Sequence, residues 1–310
     1  MVSPPPGVRS AYPLSRLTTI RTGGLADHFA RPATLADLGQ LVAWASAEGL
    51  EVGVVGSGSN LLVADEGFRG LVIKLDQELS DIELDGTRIH CGGGARLPAV
   101  SARAAQAGLT GIEFGVNIPG TVGGAVRMNA NAYGGELATV LEWVDIVGPQ
   151  GLDRRLPEQL GFAYRRSNLG RHDIVARASF QLAPAPSSEV KATLADMRAK
   201  RKAAQPSGIK TFGSTFKNPA DPRAEGRTAG QLLEAAGCRG LRIGDASFSQ
   251  KHANFVENHG EATTADVVAL IAEGRRRVQE RFGVSLEAEV QTLGDVGLPG
   301  ARVRNGEGAR

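Results

Sequence analysis

Residues 115–136, GVNIPGTVGGAVRMNANAYGGE, constrain this chain more than any other stretch. Five glycines follow Gly115 there, with one proline and three asparagines. A core helix is not written this way, because each interior glycine costs about 1 kcal/mol relative to alanine. The Ile118-Pro119-Gly120 step predicts a turn, with proline fixing one dihedral and Gly120 free to take positive φ. Gly123 and Gly124 then leave backbone N–H groups bare of side chains, a pattern that suits phosphate oxygens. A glycine-rich surface loop without a ligand has the same composition.

A second such segment lies upstream. The apolar run 52–55 predicts a buried strand that opens into Gly56-Ser57-Gly58-Ser59-Asn60. A dinucleotide Rossmann fingerprint needs a third glycine where Leu61 stands, and no Walker lysine follows. GSGSN alone is a weak signal. Paired with the longer loop, it points to a ligand carrying two phosphates.

Several function classes drop out on composition. The net charge is +2 over 310 residues, so no basic footprint for nucleic acid is present. The two cysteines, Cys91 and Cys238, form no close pair, which fits a reducing cytoplasm. The five histidines have no zinc-ligand spacing, so no metal is expected. No apolar run reaches membrane-spanning length, and the first eleven residues lack the apolar stretch of a signal peptide. The expectation is a cytoplasmic protein with no membrane partner, and a monomer.

Local signals order the rest. Thr34 and Asp37 form a capping pattern ahead of Leu38, Leu41, Val42 and Ala45, with Gly49 as the stop. Strands are predicted at 71–75 and 88–91, a helix at 97–107, a hairpin turning at 149–151, and a strand at 173–182. The proline- and serine-rich segment 184–188 is the best domain boundary. It gives a tail at 1–12, one domain at 13–185, a second at 189–295 and a flexible tail at 296–310. In the second, Thr263 and Asp266 cap a helix lined by Val267, Leu270, Ile271, Val278 and Phe282, and 284–290 is the last predicted strand.

Three polar residues stand out by context: Arg165 in YRRS, Ser214 in GSTF and Glu289 in VSLEAEV. Each has a bland alternative: a stacked surface arginine, a turn serine, and a glutamate facing solvent along with Glu287. From the residues alone, the conclusion is a two-domain α+β protein that binds a phosphorylated cofactor.

The motifs taken in order carry further. TTIRTGGLADHFARP, GSGSNLL, GIEFGVNIPGTVGGAVRMNANAYGGE, YRRSNL, GSTFKNP, AGQLLEAAG, KHANFVEN and FGVSLEAEV span about residues 17–294. This series resembles the UDP-N-acetylenolpyruvoylglucosamine reductase (MurB) family of peptidoglycan synthesis. The resemblance implies an FAD-binding domain of the vanillyl-alcohol-oxidase-like (PCMH) type in two lobes, and a smaller C-terminal α+β substrate domain. It implies non-covalent FAD, NADPH as electron source, and reduction of UDP-N-acetyl-3-O-(1-carboxyvinyl)-glucosamine to UDP-N-acetylmuramate. Carried over residue by residue, Arg165 and Glu289 stabilise an enolate and Ser214 protonates it. FAD falls to Gly56, Ser57, Gly58, Ser59, Asn60, Leu61, Pro119, Gly120, Thr121, Gly123, Gly124 and Asn129, and the UDP-sugar to Asn218 and Lys251.

The sequence also departs from the family. Asn117 and Asn131 stand where glycine is usual, and asparagine is the best replacement for glycine at positive φ. The GIKTF run before Ser214 is unusual, and the connection from Arg165 to Ser214 is short. That shortness resembles the subtype without an inserted tyrosine-bearing loop. Two alternatives stay open: an oxidase on the same flavin fold, and a flavin or UDP-sugar binding protein without catalysis.

Overall fold

A computed structural model describes residues 3–206 and 208–298. The chain divides into two units. Among the described residues, the first holds those up to Pro13, Leu25–Ser59 and Phe68–Gln205; the second holds Leu14–Gly24, Asn60–Gly67 and those from Pro206 onward.

The first unit has two lobes, each built on a sheet. In one, Arg9–Pro13, Leu25–Ala30, Phe68–Ile73 and Glu51–Val54 lie in that order. The first pair is antiparallel, with Arg9 opposite Phe29, and the other two are parallel. Helix α1 (Leu35–Ala47) connects two of these strands, as a parallel arrangement requires. Its capping box forms as the sequence predicts: Asp37 N–H donates to Thr34 Oγ1, and Thr34 N–H donates to the Asp37 carboxylate, both at 3.1 Å. Leu38, Leu41 and Val42 pack with Val52, Leu71 and Ile73. Each such side chain, fully buried, contributes about 1.5–3 kcal/mol.

The other lobe is an antiparallel sheet ordered Gly151–Arg155, Leu141–Gly148, Ile174–Gln181, Arg88–Gly92 and Ile82–Asp85. Helices α2 (Leu97–Gln106) and α3 (Val122–Arg127) bury Val100, Ala104, Val122 and Val126 with Ile89, Val144 and Phe180 of its strands. Helix α4 (Ser187–Ala204) lays Val190 and Leu194 on Ala105 and Val116.

In the second unit, α5 (Ala229–Ala235) and α6 (Thr264–Phe282) share a core with a three-stranded sheet of Arg242–Ile243, Ala246–Phe248 and Val256–Asn258. Thr263 and Asp266 cap α6 reciprocally, and Gly283 ends it at φ +68°. Gln291–Leu293 pairs in parallel with Leu61–Val63.

Four sequence expectations need correction. Residues 9–12 belong to a paired strand rather than a tail. Val296 and Leu298 join the second core, while residues 299–310 lie outside the described part. The division between units falls after Gln205, not at 184–188, because the apolar face of α4 is buried against the first unit. Finally, 284–290 is extended without a ladder and forms an isolated bridge at Ala288, although its burial alternates as a strand's would.

Candidate active site

The two glycine-rich segments meet. Ser57 Oγ donates to the Pro119 carbonyl at 2.6 Å and lies 3.0 Å from Ser59 Oγ. Gly56 packs so closely on Thr121 that a Cβ there would collide with the threonine hydroxyl. Lys74 Nζ donates to the Gly56 carbonyl from below the same loop. Together they border a cleft of about 460 Å³ whose lining includes Gly56, Ser57, Gly93, Gly94, Thr121, Gly123 and Gly124.

Bare backbone makes this cleft, but not in the way composition suggests. The Val122 and Gly123 N–H groups are already spent on the carbonyls of Ala95 and Gly93, both at 2.8 Å. Gly124 is the first-turn amide of α3 without a protein acceptor among the described residues. Gly120 does not take positive φ. It needs no such freedom, because the tie from Ser57 to Pro119 O holds the bend.

Three cations face the cleft as well: Lys74, Arg96 and Arg127. Burial first, then Arg31 and Arg96, push the Lys74 ammonium below its ordinary range. The negative charge of an anionic ligand would offset these effects by favouring the ammonium. Glycine-lined walls, a spare amide and clustered cations fit a diphosphate-bearing cofactor such as FAD. Sequence reasoning missed Lys74 and Arg96, which only folding brings beside these glycines, and passed over Arg127, three residues after Gly124 in the same stretch.

Asn129 serves the structure of the loop itself. It is fully buried, at φ +41°, with its amide donating to Glu136 and its oxygen accepting from Ala138 N–H at 3.2 Å. It holds the following hairpin and does not line the cleft. The two asparagines at glycine positions also behave differently from expectation, since neither has positive φ. Asn117 donates to the Met197 carbonyl of α4 at 2.7 Å and to Tyr133 Oη at 3.2 Å. Asn131 accepts from Arg165 Nη1 at 2.5 Å.

Arg165 belongs to the first unit, half-buried. Ala163 and Arg166 exchange two backbone hydrogen bonds at 3.0 Å, so Tyr164 and Arg165 form the tip of a tight turn. Arg165 sits there at φ +55°, a conformation usually filled by glycine or asparagine. Its guanidinium lies 5.0 Å from the Tyr164 ring.

Ser214 and Glu289 belong to the second unit and lie on neighbouring extended segments. Ser214 bridges to Phe255, Phe216 bridges to Ala288, and Glu289 N–H donates to the Thr215 carbonyl at 2.8 Å. Asn254, buried, fixes the serine's segment from the other side. Its carbonyl accepts from Thr215 N–H at 2.8 Å, its side-chain oxygen accepts from Phe216 N–H at 2.9 Å, and its amide donates to Phe216 O at 2.8 Å. His252 Nδ1 accepts from Asn254 N–H at 3.2 Å, and burial holds the imidazole below its ordinary pKa. Burial separates the two glutamates of the LEAEV run. Glu287 is 58% exposed and paired with Lys217 Nζ at 2.6 Å, whereas Glu289 is half-buried.

Asn60 and Leu61 also fall in the second unit. Asn60 donates to the Glu289 carbonyl at 3.3 Å and accepts from Gln291 N–H at 3.1 Å, holding the strand end that carries Glu289. Leu61 pairs with Gln291. Asn218 is exposed, and its oxygen accepts from Ala229 N–H at 3.1 Å at the start of α5. Lys251 is exposed, with its N–H on Ser249 Oγ at 3.1 Å.

Known proteins resemble this chain in both parts. Residues 26–156 match the FAD binding domain family, and residues 205–293 match the UDP-N-acetylenolpyruvoylglucosamine reductase C-terminal domain family. UDP-N-acetylenolpyruvoylglucosamine reductase 2 of Symbiobacterium thermophilum is 43% identical over 95% of this chain and 94% of its own length. The corresponding reductase of Heliobacterium modesticaldum is 44% identical over 92% and 90%. The crystal structure of the reductase (MurB) from Thermus caldophilus superposes with a TM-score of 0.78 at 38% identity, covering 92% of this chain and 98% of that one.

Proposed function

The chain belongs to the UDP-N-acetylenolpyruvoylglucosamine reductase (MurB) family, and on that premise we propose that it reduces UDP-N-acetyl-3-O-(1-carboxyvinyl)-glucosamine to UDP-N-acetylmuramate with NADPH as electron source. It is an FAD-dependent oxidoreductase of peptidoglycan precursor synthesis. The observation that carries this reading is the 43% identity sustained over 95% of the chain. No helix among the described residues is long and apolar enough to cross a membrane.

Bound FAD supplies the hydride; this chain's residues hold charge and deliver a proton. Hydride arriving at the methylene carbon leaves negative charge on the enolpyruvyl carboxylate as an enolate. Arg165 offers fixed, always-charged donors to it, and such stabilisation counts most where charge develops. Glu289 assists as the protonated acid or when held by a cation, since an ionised carboxylate repels an enolate. Ser214 gives its hydroxyl proton to the adjacent carbon, which a weak acid does only because the enolate is strongly basic. Asn218 and Lys251 contact the UDP moiety.

The test is anaerobic. Purified protein is yellow, bleaches with NADPH, and regains colour on adding the enolpyruvyl substrate, with UDP-N-acetylmuramate as product. Colour that returns only with oxygen would make it an oxidase. A yellow protein that NADPH never bleaches would make it a binding protein.

A further inference from the structure

We propose that Asn131 is a positioning residue for Arg165, holding the guanidinium through a neutral acceptor that sets its orientation without cancelling its charge. The inference rests on the enolate-stabilising role given to Arg165 above. Asn131 Oδ1 accepts from Arg165 Nη1 at 2.5 Å, and the Asn131 backbone carbonyl lies 3.4 Å from the same nitrogen. A guanidinium has only donors, so the amide must present its oxygen, and its orientation follows from chemistry.

The support is local and doubled. Asn131–Ala132 pairs with Gly135–Glu136 in a short hairpin, with Asn131 opposite Glu136. From the same segment, Asn129 Nδ2 reaches the Ala163 carbonyl at 3.4 Å, at the base of the turn that carries Arg165. The hairpin thus grips the turn at its base and at its tip. The turn needs that grip, because Arg165 sits at φ +55°, where a non-glycine residue is strained by about 1 kcal/mol or more and persists only when its surroundings hold it. Glycine or alanine at 131 offers no side-chain acceptor. Aspartate offers one, but its charge opposes the field that a developing enolate needs.

Stopped-flow flavin absorbance on the holoenzyme tests this, following reoxidation by the enolpyruvyl substrate after reduction with NADPH. Asn131→Ala should slow reoxidation about tenfold, the scale of one hydrogen bond to a charged group. Its substrate Kd, from perturbation of the oxidised flavin spectrum, should move less than threefold. The isosteric Asn131→Asp keeps the fold and the acceptor, and should also slow reoxidation. In an Arg165→Ala background, Asn131→Ala should have no further effect, because it acts only through the arginine. Full multiplication of the two losses, or a wild-type rate in both Asn131 variants, overturns the inference. A wild-type rate in Arg165→Ala alone overturns the parent role of Arg165 and this inference with it.

Discussion

Gly124 is where adding a methyl group should strengthen the fold and weaken the cofactor. A Cβ built there meets nothing closer than Thr121 Oγ1 at 3.7 Å, an ordinary contact, and the residue lies in α3 without positive φ. Alanine should therefore gain about 0.5–1 kcal/mol of helix propensity. That raises the melting temperature of the apoprotein by about 1–3 °C for a unit of this size. The same Cβ leans toward the helix N-terminus, on the side from which an anion reaches the spare Gly124 N–H. Losing a hydrogen bond to a charged ligand weakens binding by about 1.5–3 kcal/mol, or roughly 10- to 100-fold in the FAD Kd. Gly124→Val, with two further methyls, should purify colourless. Gly123→Val is the poorer probe, since its Cβ would lie 3.1 Å from the Gly93 carbonyl and 3.4 Å from that of Val175, so the fold itself would shift. The assay is the flavin-to-protein absorbance ratio after desalting, with FAD titration of the apoprotein by fluorescence quenching. Stoichiometric yellow flavin in Gly124→Val would remove this amide from the cofactor site.

Other expectations are equally direct. Ser214→Ala should be reduced by NADPH at close to the wild-type rate, while reoxidation by the enolpyruvyl substrate slows by roughly two to four orders of magnitude. Slowing of both steps alike would make Ser214 a pocket-shaping residue. Arg165→Lys keeps a charge but loses the planar fork, so kcat should fall more than substrate affinity. Glu289→Gln should be milder than Glu289→Asp if the acid works protonated, and pre-steady-state rates compare the two. Burial pushes the Cys91 thiol up to about 12, so alkylation at pH 8 should leave it unlabelled until the protein unfolds. Hydrogen bonds from Arg276 and then Arg277 hold Glu273 at about 2, below the usual 4.5. Its contribution is present above the unfolded pKa and lost as pH falls toward 2, so the melting difference between wild type and Glu273→Gln should vanish across that window.

Short-range features of this protein were fixed by its sequence. The Thr34–Asp37 and Thr263–Asp266 caps, the stop at Gly283 and the hairpin turning at 149–151 all form where local chemistry puts them. Each depends on residues a few positions apart, and the same free-energy terms act in any compact chain. Pairing of distant segments was another matter. That segments 14–24 and 60–67 group with the chain beyond Pro206 leaves no local trace. The alternation across 284–290 was legible, but Glu287 and Glu289 share its outward parity, so only tertiary packing could leave Glu289 half-buried while Glu287 stays exposed. Gly123 looked like an open amide because composition cannot show that Gly93 supplies its acceptor. Asn131 looked like a substitute for glycine, whereas its side chain serves an arginine 34 residues away. Such contacts involve residues far apart along the chain, and the entropy of closing the intervening loops is offset only by the packing of the tertiary structure.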